Sequence, residues 1–245
     1  VKNFEILFPA NSSDGVVELV FHSAGSANAL SLEVARELKS VIKVIGKSNP
    51  HTGRGPSALL VRSGHPRVFC SGGNLSDYKR LKDKASGLKI NREIEAVLNA
   101  FGQLPILKMA LIEGDVWGGG MEWLARFDVR WAAPSVLLGF WQKRIGLSTG
   151  WGGGSCWAKR ISEERLRQWL LSAKVFGAWE AQAEGIVERV LSEEMILPQA
   201  RLFLRAQSEQ FAPEFMAWTA KTEAKIFSKL WMGKLHRKAL GRWKS

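Results

Sequence analysis

Tyrosine is almost missing from this chain: one residue, Tyr78, stands against 12 Phe and 11 Trp in 245 residues. That leaves a single phenol for any hydroxyl-based role, and we read Tyr78 as packing, with hydrogen-bond donation as the alternative. Cysteine and histidine are scarce too, at 2 and 4. Cys70 and Cys156 cannot make a disulfide framework, and neither approaches a histidine at metal-ligand spacing, so no metal is expected and a reducing, cytoplasmic location is the default. His22, His51, His65 and His236 fall in no recognisable catalytic pattern. No run nears the ~18 apolar residues of a membrane span, and Val1-Lys2-Asn3-Phe4-Glu5 lacks the charged-then-apolar pattern of a signal peptide.

Acidic side chains are also in deficit, 23 against 35 basic, for a net charge of +12. A basic chain suits a polyanionic ligand, although most surface cations are solvated faces. The tail residues Lys234, Arg237, Lys238, Arg242 and Lys244 could follow nucleic-acid phosphates, yet no RNA-recognition motif or aromatic ladder accompanies them. The run from Gly150 to Ser155 lacks the third glycine of a dinucleotide loop and the Gly-Lys-Ser/Thr ending of a nucleotide-binding loop. No Gly-x-Ser-x-Gly elbow is present. Internal repeats and low-complexity linkers are likewise absent from the sequence.

What is present is an apolar fraction of 46% that can bury a real core. Leu30, Val34, Leu38, Val41, Ile42 and Ile45 recur at helical spacing behind Ser31, following an apolar strand Val16 to Phe21. Strands are predicted at Ala58–Ser63 and Ile106–Ile112 and a helix at Ile90–Gln103. Beyond Ser162 the pattern reads as mostly helical, with one segment around Leu166 and Trp169 and a long one from Phe215 to Arg237. Alternation of strands and helices predicts an α/β protein with a spiral or layered sheet.

Two strand exits carry glycines. Ile106–Ile112 leads to Gly118-Gly119-Gly120-Met121-Glu122, where a helix start leaves backbone N–H groups without intrahelical partners and Glu122 falls on the same face as the Gly119 amide. Ala58–Ser63 leads to Val68-Phe69-Cys70-Ser71-Gly72-Gly73-Asn74-Leu75. Two such exits can supply two convergent N–H donors for an oxyanion.

These segments, in this order, resemble the crotonase family, the enoyl-CoA hydratase/isomerase superfamily, from about Val16 to the C-terminal helices. The Asn28-Ala29-Leu30 entry to the first helix, the Phe69–Leu75 motif, Gly114 through Glu122 with Asp128, the Gly146–Gly153 loop and the Ala178–Val187 stretch carry the likeness. The resemblance implies a ββα spiral core over residues 1–190 with an acyl-CoA site and a helical C-terminal region over 191–245 that covers the site and mediates trimer contacts. It implies an oxyanion hole made of the Gly73 and Gly119 amides and a catalytic carboxylate in Glu122. Ser71, Gly72 and Asn74 would meet the CoA substrate, Asn74 replacing a more frequent Asp. No cofactor is implied, since CoA carries the substrate.

The larger departure from the family lies elsewhere. The second catalytic carboxylate of the hydratases falls on Gln142, which has no proton to exchange at neutral pH but can hold a water. Hydration or isomerisation is the first expectation. Decarboxylation, thioester hydrolysis and a silent binding role are the alternatives. Trp141, beside Gln142, is expected to fill the acyl pocket, and Trp151 to belong to the core.

Overall fold

The computed structural model describes residues 3–7, 15–23, 27–46, 55–210, 222–231, 233 and 236–237. Its centre is a six-stranded sheet in the order β1 (Phe4–Leu7), β2 (Val16–Phe21), β4 (Ala58–Ser63), β7 (Leu107–Ile112), β9 (Val129–Ala132), β12 (Arg189–Val190). All pairings in it are parallel except that of the edge strand β1. A four-stranded sheet runs β11 (Val175–Gly177), β10 (Leu137–Gly139), β8 (Asp115–Trp117), β5 (Val68–Cys70), and a small parallel pair joins β3 (Ala29–Leu30) to β6 (Gly72–Gly73).

The chain visits these layers in rotation. β4, β5 and helices α2 (Leu75–Lys79) and α3 (Lys84–Gly102) make one turn; β7, β8 and α4 (Gly119–Leu124) make the next; β9 and β10 begin another. The repeat is thus structural, two strands and a helix per turn, in a sequence that shows none. This is the spiral core the motifs implied.

Period-two alternation explains why the central strands are buried on both faces. Val17, Leu19, Phe21, Leu59, Val61, Ala110 and Ile112 face the main core, whereas Val16, Ala58, Leu60, Met109 and Leu111 face a second cluster completed by Ile196, Ala200 and Leu204. The latter three lie on α8 (Glu193–Gln210). That helix therefore seals the outer face of the sheet and is not among the walls of the cavity described below. Its Arg201 reaches back to the buried Glu18 at 2.5 and 3.0 Å, with Arg62 at 3.5 Å from the same carboxylate.

Local chemistry sets the helix starts. The Ser31 hydroxyl accepts from Val34 N at 3.0 Å ahead of α1 (Leu32–Gly46), whose Val34, Leu38, Val41 and Ile45 are buried as their spacing required. Asp83 caps α3 by accepting from Ser86 N at 2.7 Å, which extends this helix six residues N-terminal to the expected Ile90. Residues 84–90 have no apolar period to reveal it. Asn28, at φ +54°, is fully buried: its carboxamide accepts from Ser23 N and donates to Phe21 O and Ser63 Oγ, tying together the ends of β2 and β4.

Several expectations need correcting. The segment after Ser162 forms helix α6 (Glu163–Ser172) but also strands β11 and β12, too short to show a period. The family pattern makes Asp128 the end of the helix that opens at Gly119, but α4 ends at Leu124, and Asp128 accepts from Lys108 N at 2.8 Å and pairs with the buried Lys108 Nζ at 2.9 Å. Of the long helix expected from Phe215 to Arg237, α9 (Glu223–Leu230) is seen, and residues 215–221 lie outside the described residues. So do His51 and, apart from Arg237, the basic tail residues. Among the described residues no helix is long and apolar enough to cross a membrane.

Candidate active site

The two glycine-bearing strand exits meet. Gly118 sits at φ +51°, ψ −111°, and Gly72 at φ +93°, conformations that a side chain rarely permits. A Cβ on Gly72 would lie 2.8 Å from Trp117 O and 2.9 Å from Gly119 N, so the backbones of the two exits are in direct contact. In the β3–β6 pair it is Asn74 N that donates to Leu30 O. Strand alternation turns the intervening Gly73 amide to the other side, where Gly73 and Gly119 both line a cavity of about 710 Å³.

Glu122, on the first turns of α4, is 2% exposed and lines the same cavity. Its Oε1 accepts from Gly150 N at 3.0 Å, and its Oε2 accepts from Trp151 N at 2.8 Å and Gly153 N at 3.1 Å. These neutral amides hold both oxygens in place yet leave Oε1 the less occupied. Burial pushes the carboxyl above its ordinary value; the amides and the neighbouring Gln142 oppose the shift and do not cancel it.

Gln142 lies in a 3₁₀ turn, Trp141–Ile145, and is 6% exposed. It faces Glu122 closely enough to favour the charged form, but among the described residues neither Oε1 nor Nε2 of the carboxamide completes a hydrogen bond. A buried donor and acceptor without partners cost roughly 1–3 kcal/mol per group, which marks the carboxamide as a place for a ligand or a water.

Four of the residues singled out from sequence thus come together: Gly73, Gly119, Glu122 and Gln142. The other four do not line this cavity. Ser71 falls between β5 and β6, and Gly72 is buried beneath the turn. Asn74 caps α2, accepting from Ser76 N at 3.0 Å, and faces a separate depression shared with Ser31 and Arg36.

Trp151 joins the core as expected but also walls the cavity, and Trp141 does not line it. Trp141 is 38% exposed, its ring tilted by 36° against Trp117 at 4.3 Å with Arg144 also over it, outside the cavity. Trp151 is the cavity residue, and its ring lies where a Cβ on Gly119 would come within 2.2 Å of it. Reading by adjacency to Gln142 failed because successive residues of a tight turn point in different directions. The only sequence signal for Trp151 was its place as a large ring inside a glycine-rich loop.

Tyr78 does more than pack, and its partner Asn91 carries no signal in the sequence. Tyr78 Oη donates to Asn91 Oδ1 at 2.9 Å, the same oxygen accepts from Trp151 Nε1 at 2.7 Å, and Asn91 Nδ2 donates to Gly87 O at 3.0 Å. Helices α2 and α3 and the glycine loop are thereby joined at the cavity wall. Desolvation, then the negative charge of Glu122, raises the phenol to about 12, so it stays protonated. Cys70 lies beneath the oxyanion segment and is raised to about 12 by burial, which leaves it inert.

Residues 11–231 match the enoyl-CoA hydratase/isomerase family. Mitochondrial methylglutaconyl-CoA hydratases of mouse and human are each 28% identical over 179 residues, 73% of this chain and 55% and 51% of theirs. The chain thus spans about half the length of those relatives. An enoyl-CoA hydratase from Bacillus anthracis superposes with a TM-score of 0.86 at 20% identity, covering 99% of this chain and 96% of that one. One from Geobacillus kaustophilus gives 0.85 at 19%, covering 98% and 93%. Glycine exits in contact, a buried carboxylate beside them and a match over nearly the whole length place this chain in the enoyl-CoA hydratase/isomerase family.

Proposed function

We propose that the cavity takes the thioester end of an acyl-CoA, that the amides of Gly73 and Gly119 grip the thioester oxygen as it becomes an enolate, and that Glu122 acts as base or holds the reacting water. The observation that carries this is the convergence of the two glycine exits on a cavity floored by a buried carboxylate. Each preorganised amide can lower the barrier by roughly 2.7–4 kcal/mol in such a site. Lys79, exposed at the mouth, suits the phosphates of CoA.

Hydration of an enoyl thioester is the first reading, in keeping with the hydratase names of the relatives. Glu122 draws a proton from water, the oxygen adds to the β-carbon, and the enolate forms against the two amides. Gln142 orients the water through its unpartnered donor and acceptor.

A second reading, decarboxylation, is favoured by the same Gln142. A site with one carboxylate, held by neutral amides, disfavours a carboxylate on the substrate and stabilises the enolate that remains after carbon dioxide leaves. With either reaction go a homotrimer or dimer of trimers, no cofactor beyond the CoA carrier, and the cytoplasm as location, to which the two free cysteines are suited.

Mass spectrometry of crotonyl-, malonyl-, methylmalonyl- and aryl-CoA thioesters after incubation with the protein tests this, with Glu122→Gln as control. A gain of water that requires Glu122 establishes the hydratase, and loss of carbon dioxide establishes the decarboxylase. Release of free CoA from the aryl thioester would identify a hydrolase. Binding without conversion would leave only a carrier role, and salt-sensitive retention of RNA in its place would overturn the reading.

A further inference from the structure

Enolate chemistry needs a proton delivered to the α-carbon, and the position that supplies it in a two-carboxylate site holds Gln142, which has none to give at neutral pH. Among the side chains lining the cavity, few carry a transferable proton. Lys79 is exposed at the mouth, and Ser148 and Thr149 are alcohols, which hold their protons more tightly than a phenol does. Glu122 is the base.

Tyr78 remains. Its ring and hydroxyl lie against Gly73: a Cβ on that glycine would be 3.0 Å from Cε2 and 3.3 Å from Oη. The hydroxyl is therefore beside one of the two amides that grip the enolate oxygen, and it borders the same cavity as Gly119 and Glu122. Asn91 Oδ1 holds it at 2.9 Å while accepting a second bond from Trp151 Nε1, so Asn91 keeps a partner when the phenol turns away.

We propose that Tyr78 is the proton donor to the α-carbon of the thioester enolate, in place of the acid that position 142 lacks. The proposal rests on the enolate reading of this cavity. In the step the enolate C=C pair forms the new C–H bond, the phenol O–H bond breaks, and the thioester C=O is restored. The phenolate is stabilised by the nearby Trp151 N–H and regains a proton from solvent through the open mouth, and in hydration Glu122 releases to solvent the proton it took from water. The charged groups that face the phenol, Glu122 and Asp77, both oppose its ionisation, which returns it to the protonated form after each turnover.

The test compares the wild-type protein with Tyr78→Phe on crotonyl-, malonyl- and methylmalonyl-CoA in D2O, reading turnover, thioester affinity and the face on which α-deuterium appears. Removing the donor should slow turnover by about 100-fold or more with affinity held, and deuterium should enter without facial preference. Because Tyr78 is the only tyrosine in the chain, growth on 3-fluorotyrosine alters this one phenol alone and leaves the packing intact. The rate should respond to the lowered phenol pKa, which a purely structural role would not produce. An unchanged rate and deuterium face in Tyr78→Phe, or indifference to fluorination, overturns the proposal and assigns proton return to Glu122 while the enolate reading stands. A wild-type protein that binds these thioesters and converts none brings down the enolate reading and this proposal together.

Discussion

Glu18 and Glu122 are both buried glutamates, 3% and 2% exposed, and their surroundings could hardly differ more. Glu18 lies under α8 with Arg201 at 2.5 Å and Arg62 at 3.5 Å, so its charge is balanced by guanidinium groups and the cluster pins a helix to a sheet. Among the described residues Glu122 meets neutral donors alone, the amides of Gly150, Trp151 and Gly153, and its proton affinity is raised by burial. A carboxylate neutralised by cations is held still. One whose charge is carried by dipoles alone remains available to a proton, and it sits where the chemistry is proposed.

The sharpest way to break this contrast is to neutralise each in turn. Glu122→Gln should lower thioester turnover by about 10³-fold while shifting stability by less than about 1 kcal/mol, since losing one acceptor is offset by removing a buried charge. Glu18→Gln should do the reverse, costing about 3 kcal/mol in urea unfolding because two arginines lose their counter-charge, and leaving turnover intact. If the two variants behave alike, the distinction is wrong.

Next in size is Gly119→Ala. Its Cβ would fall 2.2 Å from the Trp151 ring, and overpacking of this kind costs about 1–3 kcal/mol besides displacing the amide. Trp151→Ala, which deletes a buried ring, should itself cost about 3–5 kcal/mol, and adding Gly119→Ala to it should cost almost nothing more. A full further loss in the double variant would show that the ring does not press on Gly119.

The pH dependence follows in magnitude. A carboxyl raised in the folded state favours folding of the protonated form, so Glu122 contributes stability below the ordinary value of 4.5 that is lost as pH rises through its higher folded value. The difference in unfolding free energy between wild type and Glu122→Gln should therefore fall across that interval, while turnover rises as the base ionises. A flat difference would mean the amides fully offset burial. The smallest effect is expected at Gln142→Leu, which removes two unpartnered polar atoms and should raise stability by about 1 kcal/mol while impairing hydration.

Much of the fold was legible because burial imposes periods. The alternating Val17, Leu19 and Phe21 of β2 and the helical spacing of Val34, Leu38 and Val41 are patterns that only one secondary structure can bury on one side. The glycine exits were legible for a related reason, as Gly118 and Gly72 occupy conformations few other residues tolerate. The extended start of α3 and the short strands β11 and β12 were not, because a polar helical turn or a two-residue strand carries no period.

The sequence by itself pointed to a candidate base in Glu122 and to two glycine-bearing strand exits, and the family resemblance singled out the Gly73 and Gly119 amides there, because a glycine turn at a helix start is written within a few residues. Only the tertiary structure decided what faces them. Trp151 lines the cavity and Trp141 does not, Tyr78 and Asn91 join across two helices, and Gln142 is buried with no hydrogen-bond partner among the described residues. Such contacts bridge dozens of positions, 60 between Asn91 and Trp151, and side-chain direction at that range depends on packing that no local pattern encodes.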